Sequence, residues 1–146
     1  MSGVDRLREL GGPAILGVEH VAIAVPDLDA ALTTWRDRLG FALVGVEPVP
    51  EQQVTTARLE LGPHCVELVA PTSPDSPVGR FLTKRGPGLH HVCLDVVGIE
   101  ALLARLAAAG VELIDRAPKR GAHERLIAFV HPRATGGVLV ELSEKA

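Results

Sequence analysis

Two histidines and two glutamates hold matching places in this chain. His20 lies in Val18-Glu19-His20-Val21-Ala22-Ile23-Ala24-Val25, and His91 in Gly88-Leu89-His90-His91-Val92-Cys93-Leu94-Asp95-Val96. Well downstream of each comes a Val-Glu-Leu triplet, carrying Glu67 in the first half and Glu141 in the second. The matched phase reads as one small unit present twice, each copy lending an imidazole and a carboxylate to a shared metal site. Such a set suits an octahedral divalent ion with two positions left open. Cobalt(II), manganese(II), nickel(II) and zinc all fit that description.

Strand parity supports a common face. Side chains alternate along a strand. In the first strand Val21, Ile23 and Val25 form the bulky set that packs under a helix, which turns His20 to the other face beside Ala22 and Ala24. Val92, Leu94 and Val96 do the same for His91, Val66 and Leu68 for Glu67, and Val140 and Leu142 for Glu141. A carboxylate buried without a counter-charge costs several kcal/mol, about what removing one partner of a buried ion pair costs, and a divalent cation would supply that charge. His90 has the opposite parity to His91 and reads as structural or as a support for the ligand. Cys65 and Cys93 share the inward parity and read as inert buried thiols.

The elements that must position these groups come in a simple order. Residues 1–14 form a loose tail with at most one helical turn, and 15–25 a strand. Pro26-Asp27 ends the strand, with Asp27 as N-cap. Leu28, Ala31, Leu32, Trp35 and Leu39 recur at helical spacing up to Gly40. Strands are expected over 41–47, 53–61 and 64–70, with a turn at Gly62-Pro63. Pro71-Thr72-Ser73-Pro74-Asp75-Ser76-Pro77 links the halves, and a short amphipathic helix near 77–85 carries Val78, Phe81 and Leu82. The second half repeats the plan: a strand from Leu89 to Val96, a helix from Ile99 to Ala109, and strands over 111–115, 124–131 and 137–143. Turns are expected at Lys119-Arg120-Gly121 and His131-Pro132. The domain plan is module one over 15–70, linker and helix over 71–86, and module two over 87–144. The fold class is α+β: two βαβββ modules forming a curved mixed-sheet cup with helices outside.

Composition narrows the function. A net charge of -3 argues against a general nucleic-acid binder. No apolar run reaches the length of a membrane span, and the N-terminal residues lack the apolar core of a secretory signal. Two cysteines make no disulfide framework. The expected home is the cytoplasm, or an organelle matrix if a presequence has been removed.

Taken together, the motifs resemble the vicinal oxygen chelate superfamily, which includes glyoxalase I, and within it the methylmalonyl-CoA epimerases. The resemblance rests on His20-Val-Ala-Ile-Ala-Val-Pro-Asp, Val49-Pro50-Glu51-Gln52-Gln53-Val54, Glu67-Leu-Val-Ala-Pro, Ser76-Pro-Val-Gly-Arg-Phe-Leu, Gly88-Leu-His-His-Val, and Phe129-Val-His-Pro followed by Gly137-Val-Leu-Val-Glu-Leu. It spans about residues 15–144. It implies the glyoxalase fold, with metal ligands on His20, His91 and Glu141 and a fourth on Glu67. Two departures stand out. Gln53 replaces a glycine, and Thr56 stands where some bacterial members carry a glutamate base; a threonine hydroxyl is no general base near neutral pH.

The activity so implied interconverts (R)- and (S)-methylmalonyl-CoA through an enolate. Glu141 is the candidate for one proton-transfer role. Thr56 with a water, Glu51 or His123 is the candidate for the other. Arg80, Lys84, Lys119 or Arg120 would meet the phosphates of the acyl-CoA. The exposed strand edges of two units suggest a homodimer. Two alternatives share the fold: a glyoxalase I-like lyase or isomerase acting on a thiol adduct, and a non-catalytic small-molecule-binding protein.

Overall fold

In the computed structural model residues 12–146 are described, so most of the tail expected over 1–14 lies outside the described residues. The first strand, β1, runs Ala14–Ala24. Asp27 caps the next helix, accepting the Ala30 N–H at 3.1 Å. That helix, α1 (Leu28–Leu32), widens into a π-helical stretch, Thr33–Arg38. There the Leu39 N–H donates to Thr34 O at 2.9 Å instead of to a carbonyl four residues back. The expected regular helix to Leu39 is thus wider at its end. The widened turn closes on Gly40 at φ +89° and leaves Trp35 and Phe41 edge to face at 5.4 Å.

The antiparallel strands β2 (Ala42–Val49), β3 (Val54–Leu61) and β4 (His64–Pro71) follow. Ser76 caps α2 (Pro77–Arg85), accepting the Gly79 N–H at 3.0 Å. Gly79 has no room for a side chain: a Cβ there would lie 2.5 Å from Ser73 O. The segment ahead of α2 therefore lies directly on its first turn. Then come β5 (Gly88–Val97) and α3 (Ile99–Ala108). The N-terminus of α3 is held by the Glu144 carboxylate, which accepts the Gly98 N–H and, at 3.4 Å, the Ile99 N–H, a favourable place for negative charge.

The second half departs from the expected plan. Residues 111–115 form no strand; Leu113 makes a single bridge to Val130. The Asp115 carboxylate accepts the Phe129 N–H at 2.8 Å, taking a donor that a neighbouring strand would use. Pro118 has no N–H to offer. Pairing resumes only at Lys119-Arg120, which was expected to be a turn and is a short strand, β6 (Lys119–Arg120), opposite Ile127 and Leu126. The turn lies just beyond, at Ala122–Glu124. β7 (Leu126–Val130) and β8 (Val140–Glu144) complete the set.

The eight strands hydrogen-bond in the order β2-β3-β4-β1-β5-β8-β7-β6. The β1/β4 and β5/β8 pairs are parallel and make the sheet mixed. By its contacts the chain forms two compact units, His20–His91 and the remainder, so β1 and β5 each run through both. In the His20–His91 unit the core is Val25, Leu32, Ala57, Leu59, Leu68 and Ala70, joined by Ile23, Trp35 and Val66. In the other it is Val96, Ile99, Leu102, Leu103, Ala128, Val130 and Leu142, joined by Leu94 and Val140. Of the bulky parity sets, Ile23, Val25, Val66 and Leu68 pack in the first core and Leu94, Val96, Val140 and Leu142 in the second, as expected, while Val21 and Val92 stand outside both. Among the described residues no helix is long and apolar enough to cross a membrane.

One backbone strain is open to a direct check. Gln53 ends the turn after β2 at φ 53°, ψ 47°, a left-handed conformation that costs a residue with a Cβ about 1–2 kcal/mol. Gln53→Gly should stabilise the fold by about 0.5–1 kcal/mol, after the greater chain entropy of glycine is subtracted. That is a rise of about 1–4 °C in thermal midpoint. Thermal unfolding followed by circular dichroism measures it, and a fall would contradict the strain.

Candidate metal centre

Within the His20–His91 unit, strand register sets up one polar row. Glu67 on β4 pairs with Ala22 on β1 and with Arg58 on β3. Directly paired residues share a face, so the alternating set His20, Ala22, Ala24 lies on the face of Glu67 and Arg58. The same alternation puts Thr56 on that face, paired with Val69 and Glu47. His20, Glu67 and His91 are 7%, 4% and 7% exposed. His20 Nδ1 is 3.3 Å from Glu67 Oε2. The His20 and His91 rings meet edge to face with centroids 5.5 Å apart. Three of the four expected ligands therefore gather in one unit, as two imidazoles and a carboxylate shielded from water. That donor set fits a divalent cation of borderline preference.

The expectation that a divalent metal supplies the counter-charge for Glu67 needs an addition. Arg58 Nη1 lies 3.7 Å from Glu67 Oε2, and Arg58 Nε lies 3.8 Å from Glu60 Oε1. Part of the counter-charge for Glu67 comes from the chain itself. Behind His91, His90 Nδ1 and His91 Nδ1 are 2.8 Å apart. The His90 ring packs edge to face on Phe81 of α2 at 4.9 Å.

In the other unit Glu141, 8% exposed, pairs in register with fully buried Cys93 on β5 and with Phe129 on β7. Two residues along the same face, Ser143 pairs with Asp95 and Ile127. Arg125 closes this row. Its Nε donates to Ser143 Oγ at 2.5 Å, and its Nη2 to Asp95 Oδ1 at 2.5 Å and to Ser143 O at 3.2 Å. The face expected to carry Glu141 therefore holds an ordered charged pair beside it.

Residues 19–129 match the model of the glyoxalase/bleomycin resistance protein/dioxygenase superfamily. The chain is 41% identical over 128 residues to the mitochondrial methylmalonyl-CoA epimerase of Mus musculus, covering 87% of this chain and 72% of that protein. The chain belongs to the methylmalonyl-CoA epimerase family of this superfamily. The crystal structure of the Mycobacterium tuberculosis methylmalonyl-CoA epimerase is 38% identical and superposes with a TM-score of 0.86 over 90% of this chain and 89% of that one. A Streptomyces coelicolor epimerase variant in complex with 2-nitronate-propionyl-CoA, 33% identical, gives 0.85 over 91% and 99%.

Of the other expected site residues of this epimerase-family chain, Thr56 lies on the face of Glu67 and the rest are dispersed. Thr56 is buried, and its hydroxyl donates to Glu47 O at 3.3 Å. Glu51 is exposed on the turn Pro50–Gln52. His123 is exposed in the other unit, with φ 58°. Arg80 and Lys84 are exposed on α2, and Lys119 and Arg120 on β6. Sequence reading missed Arg58 and Arg125. The alternation of Thr56, Arg58 and Glu60 puts Arg58 on one face with Thr56, but only the register opposite Glu67 shows what it meets. Cys65 is half-buried and Cys93 buried, and neither is in a disulfide.

Proposed function

We propose that this chain interconverts (R)- and (S)-methylmalonyl-CoA by exchanging the proton at C2 of the acyl group, with a divalent cation held by His20, Glu67, His91 and Glu141. The observation that carries the reading is the buried gathering of His20, Glu67 and His91 in a chain of the epimerase family. C2 lies between a thioester carbonyl and a carboxylate, so its proton becomes removable once the developing negative charge is stabilised. When bound, the cation supplies that stabilisation as a Lewis acid. Cobalt(II) is the first candidate.

The chain's own groups carry the proton. The Glu141 carboxylate takes or returns it on one face of C2. On the other, the candidates are Thr56 with a water, Glu51 and His123; of these Thr56 is the one buried on the face of Glu67, where it would place the water rather than act as the base. Positioned proton transfer of this kind contributes about 10²–10⁴-fold in rate. The cations Arg80, Lys84, Lys119 and Arg120 are assigned to the CoA phosphates. The assembly is assigned as a homodimer; β2, the last strand at one end of the sheet order, exposes Val44 and Val46. The compartment is assigned as cytoplasm or organelle matrix.

Incubation of the cobalt(II)-loaded protein with methylmalonyl-CoA in deuterated water tests the reading. Deuterium should enter C2, and chelation should suppress it. Absence of label would overturn the assignment. Turnover of a glutathione hemithioacetal in its place would support the lyase reading.

A further inference from the structure

We propose that His90 is a positioning residue that fixes the tautomer of His91, and that α2 acts on the ligand set through it. The inference rests on the proposed metal site, but its first test does not. Two neighbouring histidines on a strand ordinarily point to opposite faces. Here their Nδ1 atoms are 2.8 Å apart, with ring planes crossed at 76°. A hydrogen bond between two imidazole nitrogens needs a proton on one and a lone pair on the other. The arrangement therefore has two forms. In one, His91 Nδ1–H donates to His90 Nδ1, and His91 Nε2 presents a lone pair. In the other the donor is His90, and His91 carries its own proton on Nε2, where no cation can then bind.

Only the first form makes His91 a ligand, and it requires His90 to be the Nε2–H tautomer. A ligating histidine is usually fixed in this way, by an acceptor on the ring nitrogen that does not meet the metal. Here the acceptor is another imidazole, and its ring is held in turn. Phe81 of α2 packs edge to face on His90 at 4.9 Å with the planes at 72°. The Arg85 guanidinium lies 5.7 Å from the Phe81 ring centroid, and the close approach of Gly79 to Ser73 and Pro74 seats the start of that helix. Helix α2 supplies none of the four ligands. Through Phe81 and His90 it nonetheless determines which nitrogen of His91 is available.

The experiment is long-range ¹⁵N–¹H NMR of the histidine rings in metal-free protein at pH 8, where ordinary imidazoles are neutral. Three proteins are compared: the parent, His90→Phe and His90→Asn. Phenylalanine keeps the packing on Phe81 but removes the acceptor. The asparagine Oδ1 stands close to where His90 Nδ1 was and restores it. His91 should be the Nδ1–H tautomer in the parent, shift toward Nε2–H in His90→Phe, and return in His90→Asn. Cobalt(II) affinity, read by chelator competition, should fall about 10–100-fold in His90→Phe and recover in His90→Asn. A parent His91 in the Nε2–H form, or one indifferent to His90→Phe, would overturn the proposal. A tautomer shift on His90→Phe, with a parent protein that binds no cobalt(II), would uphold the His90 role and retire the metal reading instead.

Discussion

Glu141→Gln should fold as the parent does and exchange the C2 proton about 10²–10⁴-fold more slowly, the range lost with a positioned acid or base. The amide matches the carboxylate in shape, so its place in the row between buried Cys93 and half-buried Phe129 persists. What it loses is charge and basicity. A neutral amide cannot accept the C2 proton, and it is a weaker donor to a divalent cation. If Glu141 only filled space, the variant would keep its rate and its thermal midpoint would change by little. If it were only a ligand, excess cobalt(II) would restore the rate. The expected result is a rate deficit that persists at saturating metal, with a midpoint in the metal-free state close to that of the parent. Single-turnover measurement of deuterium uptake at C2 decides among the three.

The sequence made the alternation legible because alternation needs no tertiary information. Ile23, Val25, Leu68, Val96 and Leu142 all pack with their helices, and His20, Glu67, His91 and Glu141 are all buried on the opposite parity. The Asp27 cap and the stop at Gly40 were equally readable, since each is a local hydrogen-bond or backbone requirement. The failures share a cause. Val111-Glu-Leu-Ile-Asp115 alternates like a strand, yet the Asp115 side chain takes the backbone donor of Phe129, and Pro118 interrupts the ladder a few residues on. Lys119-Arg120 looks like a solvated turn, yet it pairs because β7 offers it a free edge. The π-helical end of α1 leaves no mark in a periodicity that differs by about one residue per turn.

At the site, residue types were legible and partners were not. Arg58 stands in a strand where a charged residue every second place reads as a wetted face. Only the register shows it opposite Glu67 and half-buried. Arg125 lies far from Asp95 in sequence, and β7 and β8 must pair before they meet. Both arginines sit beside carboxylates on the inward faces, so the chain partly neutralises those faces. A site that relied on the cation alone would carry a larger penalty whenever the metal left.

His91→Ala is the stronger test of the ligand set, because it separates a coordinating imidazole from histidine content at large. The chain has six histidines, and His64 on β4 is exposed, so His64→Ala serves as the control. The parent should retain one equivalent of cobalt(II) through gel filtration, and His64→Ala should do the same. His91→Ala should lose at least about a hundredfold in affinity, beyond the loss caused by removal of a supporting group. The loss should also appear in stability. A ligand at a hundred times its dissociation constant stabilises the folded state by about 2.7 kcal/mol, which raises the midpoint of a domain this size by about 5–10 °C. Cobalt(II) should give that rise in the parent and in His64→Ala, and none in His91→Ala. The side chain's absence opens a small void beside His20 and ends the bond to His90, so the metal-free midpoint should fall modestly. The metal-dependent increment is therefore the quantity to read, not the midpoint itself. A full increment in His91→Ala would remove His91 from the ligand set and, with it, the reason for His90 to hold its tautomer.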